Sequence, residues 1–157
     1  MARTVPQRAL LVNAADLGLD DERFASDDLI AVDLQLESMS DGIVVAGTID
    51  IPWHGVCRRC LRTLAEHTVS EVDELYQTVV TDPDAFQIVG DQLDLLPMVR
   101  ELALLDAPWS PLCRPDCAGL CPDCGIDLNT ATCDCEEPRQ PSPWDVLDDL
   151  KSQLDGN

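Results

Sequence analysis

Residues 29–51 read LIAVDLQLESMSDGIVVAGTIDI, and this stretch decides the fold of the chain. In its first half, apolar side chains at Ile30, Val32 and Leu34 alternate with polar ones, which is the two-residue period of a half-buried strand. Asp41-Gly42 then favours a tight turn into a second β-rich run. The sequence therefore predicts an antiparallel hairpin whose second strand ends at Pro52-Trp53-His54-Gly55.

Further strands are predicted on both sides of this hairpin. Residues 8–13 suit a short strand, and residues 64–80 favour a strand over a helix because they carry several Thr and Val. Residues 81–92 are predicted to form a loop. The simplest architecture is a meander of antiparallel strands, so we expect an α+β protein built on an antiparallel, barrel-like sheet.

One main helix is predicted near residues 94–106. Asp94 is its expected N-cap, Pro97 suits its first turn, and Pro108 is expected to stop it. The apolar stripe that should face the sheet consists of Leu95, Val99, Leu102 and Leu105 or Asp106.

Eight cysteines form four short-range pairs, which are Cys57/Cys60, Cys113/Cys117, Cys121/Cys124 and Cys133/Cys135. Two thiols separated by one to three residues can hold one metal ion from a tight turn, so four pairs predict two sites of four thiolates, each holding a structural zinc ion. The sharpest motif is Cys121-Pro-Asp-Cys124-Gly125. Its proline presets the turn, its backbone N–H groups can point at the sulfurs, and its glycine can take the positive φ that follows.

The grouping of the four pairs is open in the sequence. The pairs Cys121/Cys124 and Cys133/Cys135 enclose a short loop of the length found in compact zinc knuckles, which leaves Cys57/Cys60 to close with Cys113/Cys117. Joining these two pairs closes a long loop of the chain, but the entropy lost on closing a loop grows only logarithmically with its length. The additional free-energy cost is therefore about 1–2 kcal/mol. Zinc-binding energies of about 10–16 kcal/mol exceed it. We favour this grouping over a swapped one.

Other chemistries for the cysteines are also open. Four thiolates can hold iron, although the C-x2-C-x2-C run of bacterial ferredoxins is missing. Cys57-Arg-Arg-Cys60 could instead be a redox pair, because neighbouring arginines stabilise a thiolate, although a β-rich run precedes it where a redox motif needs a βαβ unit. Disulfides are expected less than metal ligation, because no export signal is evident and a reducing cytoplasm is the expected location.

Conventional catalysis finds little support in the sequence. His54 and His67 match no metalloprotease motif, and the chain has no nucleophile elbow and no phosphate-cradling loop. His54 lies beside the first pair and could replace a ligand, but eight cysteines suffice for two sites. We therefore expect exposed or packing roles for both histidines, and no enzyme activity.

Charge separates the chain into an acidic body and a small basic cluster. The formal net charge is −20, which repels nucleic acid at long range, keeps the protein soluble and attracts basic partners. Four of the ten basic residues lie beside the first and second cysteine pairs, and they are Arg58, Arg59, Arg62 and Arg114. If those pairs share a metal, the arginines converge and are candidates for contacting an RNA backbone. They could equally serve only to neutralise the thiolates.

Several segments together resemble one protein family. They are Cys57-Arg-Arg-Cys60-Leu61, the run DLLPMVRELAL from Asp94, the run PLCRPDCAGLCPDCGIDLN from Pro111, and PWDVLDDL from Pro143. Residues 28–152 resemble the YceD family, the large ribosomal RNA subunit accumulation proteins, and the acidic, Lys-poor composition is similar to that of high-GC, actinobacterial members.

The resemblance implies a cytoplasmic, non-enzymatic bacterial factor that is needed for normal levels of 23S rRNA. It implies partners that are 23S rRNA or its precursor, or a basic large-subunit ribosomal protein, since the family is often encoded beside one. Some family members lack the cluster at residues 121–135, which places the shared function nearer Cys57/Cys60 and the body. No segment approaches the roughly 20 apolar residues that a membrane span needs, so no membrane association is expected, and no small-molecule substrate is expected either.

Three regions are expected along the chain. Residues 1–111 should form the α+β body with the first cysteine pair, and residues 112–137 should form a metal-ordered segment that is too poor in large apolar side chains to fold by burial alone. Residues 138–157 should form a linker and a short terminal helix with Trp144, Leu147, Leu150 and Leu154 on one face. Use of this helix as a protein-interaction module is a third functional possibility, beside the RNA role and a thiol redox or metal-sensing role.

Overall fold

The structure, a computed structural model, describes residues 4–90 and 92–135. It contains one sheet of five strands, in the spatial order of the chain: β1 (Thr4–Asn13), β2 (Leu29–Ser38), β3 (Ile43–Val56), β4 (Thr63–Gln77) and β5 (Phe86–Gln87). The first four strands pair antiparallel, and β5 pairs parallel with β4. With β1 and β5 at its edges, the sheet is an open half-barrel. The α+β class is confirmed.

The predicted hairpin is present as β2 and β3. Val32 lies opposite Ile49, Leu36 lies opposite Val45, and the Met39 N–H closes the turn on the Gly42 carbonyl at 2.8 Å. Because side chains alternate across a strand, this register places the apolar set of both strands on one face. Ile30, Val32, Leu34, Val45 and Ile49 are all buried there.

The prediction that the second strand ends at Pro52 is wrong, since β3 continues to Val56. Pro52 cannot donate a ladder hydrogen bond, but the pairing of β3 with β2 stops at Asp50, so Pro52 has a strand neighbour only in β4. The next residue of the same parity, His54, donates its N–H to the Arg23 carbonyl at 2.8 Å, away from β4. The proline nitrogen therefore lies on the side where no ladder bond is needed.

The predicted loop at 81–92 contains the two-residue strand β5. Phe86 stacks on Tyr76 of β4, with ring centroids 5.1 Å apart. A strand this short leaves no periodic signal in the sequence, so only the tertiary contact reveals it.

The single helix α1 spans Leu96–Asp106, close to its predicted position, but two details of the prediction are wrong. Leu95 occupies the N-cap position, while Asp94 lies one residue earlier and accepts a hydrogen bond from the Leu96 N–H at 3.0 Å. The buried face consists of Met98, Val99 and Ala103. Val99 of the predicted stripe is buried, and Leu95 and Leu102 are half-buried, but Leu105 is 67% exposed and Asp106 is exposed as well. The predicted stripe is therefore wrong at its C-terminal end.

A buried arginine joins the loop after β1 to the end of α1. Arg23 forms a bidentate ion pair with Asp21, with both N···O distances 2.9 Å, and donates to the carbonyls of Leu104 and Ala107. Its guanidinium also lies 3.8 Å from the centre of the Trp109 ring. The cation thus satisfies carbonyls at the helix C-terminus, where the helix dipole favours positive charge.

The chain divides into two compact units between Gly119 and Leu120. Cys57, Cys60, Cys113 and Cys117 belong to the first unit, and the remaining four cysteines belong to the second. The predicted linker and terminal helix at 138–157 lie outside the described residues. Among the residues that are described, no helix has the length and apolar character needed to cross a bilayer.

Candidate metal centres

The first unit brings four sulfur atoms together. The Sγ atoms of Cys57, Cys60, Cys113 and Cys117, which we term cluster 1, all lie within 4.8 Å of one another. The Cys57–Cys117 and Cys60–Cys113 sulfurs are 3.8 Å and 3.6 Å apart. A tetrahedral ion with Zn–S bonds of about 2.3 Å separates its sulfurs by about 3.8 Å, whereas a disulfide needs about 2.05 Å. Cluster 1 therefore fits one tetrahedral metal ion and contains no disulfide.

The second unit contains a matching group. The Sγ atoms of Cys121, Cys124, Cys133 and Cys135, which we term cluster 2, also lie within 4.8 Å of one another. The structure thus shows the grouping favoured from loop lengths rather than the swapped one. The two clusters differ in burial. Three of the four cysteines of cluster 1 are buried, whereas Cys124 and Cys135 of cluster 2 are exposed.

The first pair of each cluster lies on the same turn. In cluster 1, the Leu61 N–H donates to the Cys57 carbonyl at 2.9 Å, and the Cys57 N–H donates to the Arg62 carbonyl at 2.8 Å. In cluster 2, the corresponding bonds run from Gly125 to Cys121 at 2.9 Å and from Cys121 to Ile126 at 2.8 Å. This turn holds the two sulfurs of each Cys-x-x-Cys pair on one side, ready for a common ion.

Backbone N–H groups set the ionisation of the leading thiol in each turn. A hydrogen bond from the backbone of Cys60 lowers the pKa of Cys57 to about 6, and one from Cys124 lowers the pKa of Cys121 to about 7. Burial raises the pKa of Cys113 to about 12, and hydrogen bonding with Cys124 raises the pKa of Cys135 to about 12. Cys57 and Cys121 thus favour the thiolate form that binds metal, whereas Cys113 and Cys135 would need a bound dication to become thiolates.

The two halves of cluster 1 are joined by contacts outside the sulfurs. The Arg58 N–H donates to the Pro111 carbonyl at 3.0 Å, and the Arg59 guanidinium donates to the Cys117 carbonyl at 2.8 Å. Gly119 has a φ of 80°, and a Cβ there would lie 3.1 Å from the Arg59 carbonyl oxygen. Arg59 therefore clamps the segment that carries Cys117 against the first turn, and Gly119 permits the close approach.

All four arginine candidates are exposed, and all lie on the two segments that form cluster 1. Their surroundings differ. Arg59 forms the clamp, and Arg114 pairs with Asp116 at 3.3 Å. In the part of the chain that the structure describes, the side chains of Arg58 and Arg62 form no hydrogen bond or ion pair. These two are consequently the side chains most available to an external anion.

Sequence reasoning missed Arg59 as a clamp and Leu61 as a residue with positive φ. The clamp could not be found from the sequence, because it depends on which carbonyls lie close to Arg59 in the fold. The positive φ of Leu61 could have been predicted, because Leu61 follows Cys60 as Gly125 follows Cys124. Neither histidine joins a cluster. His54 Nε2 lies 3.1 Å from Asp28, and His67 Nδ1 lies 2.9 Å from Asp50.

Several known proteins are similar to this chain. An uncharacterized protein from Mycobacterium tuberculosis is 37% identical over 107 residues, which cover 64% of this chain and 52% of that protein. Another from Mycobacterium leprae is 34% identical over 126 residues, covering 73% and 55%. The large ribosomal RNA subunit accumulation protein YCED homolog 1, chloroplastic, from Arabidopsis thaliana is 29% identical over 63 residues, covering 40% and 20%.

The chain spans about half the length of the mycobacterial relatives that it matches. No solved structure gives a significant match. The family profile described as large ribosomal RNA subunit accumulation protein YceD matches residues 45–151, a range that contains both clusters and α1. This chain therefore belongs to the YceD family.

Proposed function

We propose that the protein is a non-enzymatic factor that supports accumulation of 23S rRNA during assembly of the large ribosomal subunit in the cytoplasm. The observation that carries this proposal is the family match over residues 45–151, which includes every cysteine of both clusters. In this proposal the eight cysteines hold two zinc ions with structural roles. All four positions of each site are filled by thiolates, which is typical of structural rather than catalytic zinc.

The proposed RNA contact is the arginine group around cluster 1. Arg58 and Arg62 supply the charge that reaches phosphate, while Arg59 and Arg114 also make contacts within the protein. On a body with a net charge of −20, a local cationic site limits contact to one face and orients the RNA. The acidic remainder would attract a basic large-subunit protein.

The test is RNA crosslinking in cells that carry Arg58→Gln/Arg62→Gln. We expect loss of crosslinked rRNA with metal content unchanged, because neither side chain forms a hydrogen bond or ion pair within the described part of the chain. The matched control removes the same charge elsewhere in the sequence with Arg100→Gln/Lys151→Gln. Equal crosslinking by the parent and by Arg58→Gln/Arg62→Gln would contradict the proposed contact.

The alternative is a thiol redox or metal-sensing protein that uses Cys57 and Cys60. Reactive cysteines are usually partly accessible to solvent, whereas Cys57 is 0% exposed. Its Sγ also lies 3.8 Å from the Sγ of Cys117, in the second half of cluster 1. Titration of thiols in the metal-loaded protein separates the two functions. Structural sites should leave no reactive thiol in cluster 1, and a redox pair should show one.

A further inference from the structure

A groove between α1, β4 and the loop before β5 combines an apolar floor with an acidic rim. Its volume is about 380 Å³. The floor is formed by Phe86, Met98, Leu102 and Leu105, and the rim carries Glu74, Asp84 and Glu101. The groove lies within the first unit and uses none of the residues of cluster 1.

The floor contains apolar surface that the fold does not cover. Phe86 stacks on Tyr76 and is only half-buried, and Leu102 of α1 is also half-buried. Leu105 follows the buried Met98 by two helical turns on the same side of α1, yet it is 67% exposed. A partner's apolar side chain that entered this cavity would cover Leu105 and remove apolar area of both side chains from water, which favours binding.

The rim contains negative charge without a compensating cation. Among the described residues, the carboxylates of Glu74, Asp84 and Glu101 take part in no ion pair or hydrogen bond. The basic neighbour on the helix, Arg100, donates instead to the Gly18 carbonyl at 3.4 Å. Burial and then repulsion from Glu101, Asp73 and Asp84 raise the pKa of Glu74.

We propose that this groove binds a basic amphipathic segment of a partner protein, in which lysine or arginine side chains flank an apolar one. The cations would relieve the repulsion among the three carboxylates, and the apolar side chain would cover Leu102 and Leu105. RNA carries the wrong charge for this rim, and so does a second copy of this acidic chain. This inference deepens the proposed function, because it assigns a binding surface to the basic partner. It rests on the proposed function only in identifying that partner as a large-subunit protein.

The test uses the full-length, metal-loaded protein and a short labelled peptide that alternates lysine and leucine. Glu74→Gln/Glu101→Gln should weaken peptide binding about tenfold, which is about 1.4 kcal/mol. The control, Glu66→Gln/Glu71→Gln, removes two exposed charges from β4 outside the groove and should change binding less than about twofold. Leu105→Ser should weaken binding as well, and replacing leucine by serine in the peptide should do the same.

Stability separates loss of the site from loss of the fold. Because Glu74→Gln/Glu101→Gln removes repulsion, the variant should unfold at the same temperature as the parent or higher. Equal weakening by the groove pair and the control pair would show general charge attraction and would overturn the proposal, as would unchanged binding by the groove pair. Failure of the proposed function would appear separately, as absence of rRNA crosslinking by the parent, and would leave the peptide titration unchanged.

Discussion

Leu61 and Gly125 occupy equivalent positions in the two Cys-x-x-Cys turns, with φ angles of 57° and 72°. Leu61 is the one non-glycine residue with positive φ among the residues that the structure describes. Each donates its N–H to the carbonyl of the first cysteine at 2.9 Å. The same turn thus occurs in both clusters. Glycine suits the positive φ that the turn requires in cluster 2, whereas leucine is strained at the equivalent position in cluster 1.

Exchanging the two residues tests this equivalence. Leu61→Gly should raise the free energy of unfolding by about 0.5–1 kcal/mol, because relief of left-handed strain exceeds the added entropy of the unfolded chain. The side chain lost is 63% exposed, so little packing is lost with it. Gly125→Leu should weaken metal retention by cluster 2, although a Cβ there meets nothing within 4 Å.

Chemical denaturation of the metal-loaded proteins measures the first effect, and metal release measures the second. Gly125→Asn is the control, since asparagine tolerates positive φ better than leucine and should release metal more slowly than Gly125→Leu does. A clear loss of stability in Leu61→Gly would mean that the Leu61 side chain, rather than the turn, holds this segment.

Single ligand substitutions should remove the two metal ions independently. Cys60→Ser and Cys124→Ser should each reduce the bound metal by one ion per chain, because each cluster lies within its own compact unit. Cys60→Ser should also lower the unfolding temperature of the body, where cluster 1 is buried, while Cys124→Ser should not. Elemental analysis and thermal unfolding check both expectations, and loss of both ions from either variant would contradict them.

The Arg59 clamp should control how fast cluster 1 releases its metal. Arg59→Ala removes the hydrogen bond to the Cys117 carbonyl and should speed release from this site by about tenfold, the lower end of what supporting residues around metal ligands contribute. Arg58→Ala is the control, because its contact with Pro111 uses the backbone N–H, which the substitution keeps. Transfer of zinc to a coloured chelator reports the rates, and equal rates for the two variants would exclude the clamp.

The buried ion pair of Arg23 should stabilise the body at neutral pH. Arg23→Met leaves two carbonyls and Asp21 without their partner and should cost about 3 kcal/mol. Hydrogen bonding to Arg23 lowers the pKa of Asp21, so its contribution is present above the unfolded pKa and is lost as the pH falls through the folded one. Urea denaturation of Arg23→Met, Asp21→Asn and the double variant at neutral pH should show positive coupling, and additive effects would contradict it.

The features predictable from sequence were those with a local cause. Alternation placed the hairpin of β2 and β3, and cysteine spacing was enough to favour the grouping that the structure shows. The remainder depends on tertiary context. Pro52 is tolerated in β3 because β2 has already ended there, β5 forms on the ring of Tyr76, and the buried face of α1 is chosen by the sheet, not by the leucines alone. Nothing in the spacing of Arg59 reveals that the Cys117 carbonyl lies within its reach.

The most direct test of the account is purification of the tagged, full-length protein from a lysate of its own cells, with and without RNase, with identification of both RNA and protein that co-elute. We predict recovery of 23S rRNA or its precursor together with basic large-subunit proteins, and loss of the RNA after RNase treatment with retention of a directly bound basic protein. Recovery of neither, with partners joined through disulfides instead, would contradict the account and favour the redox function.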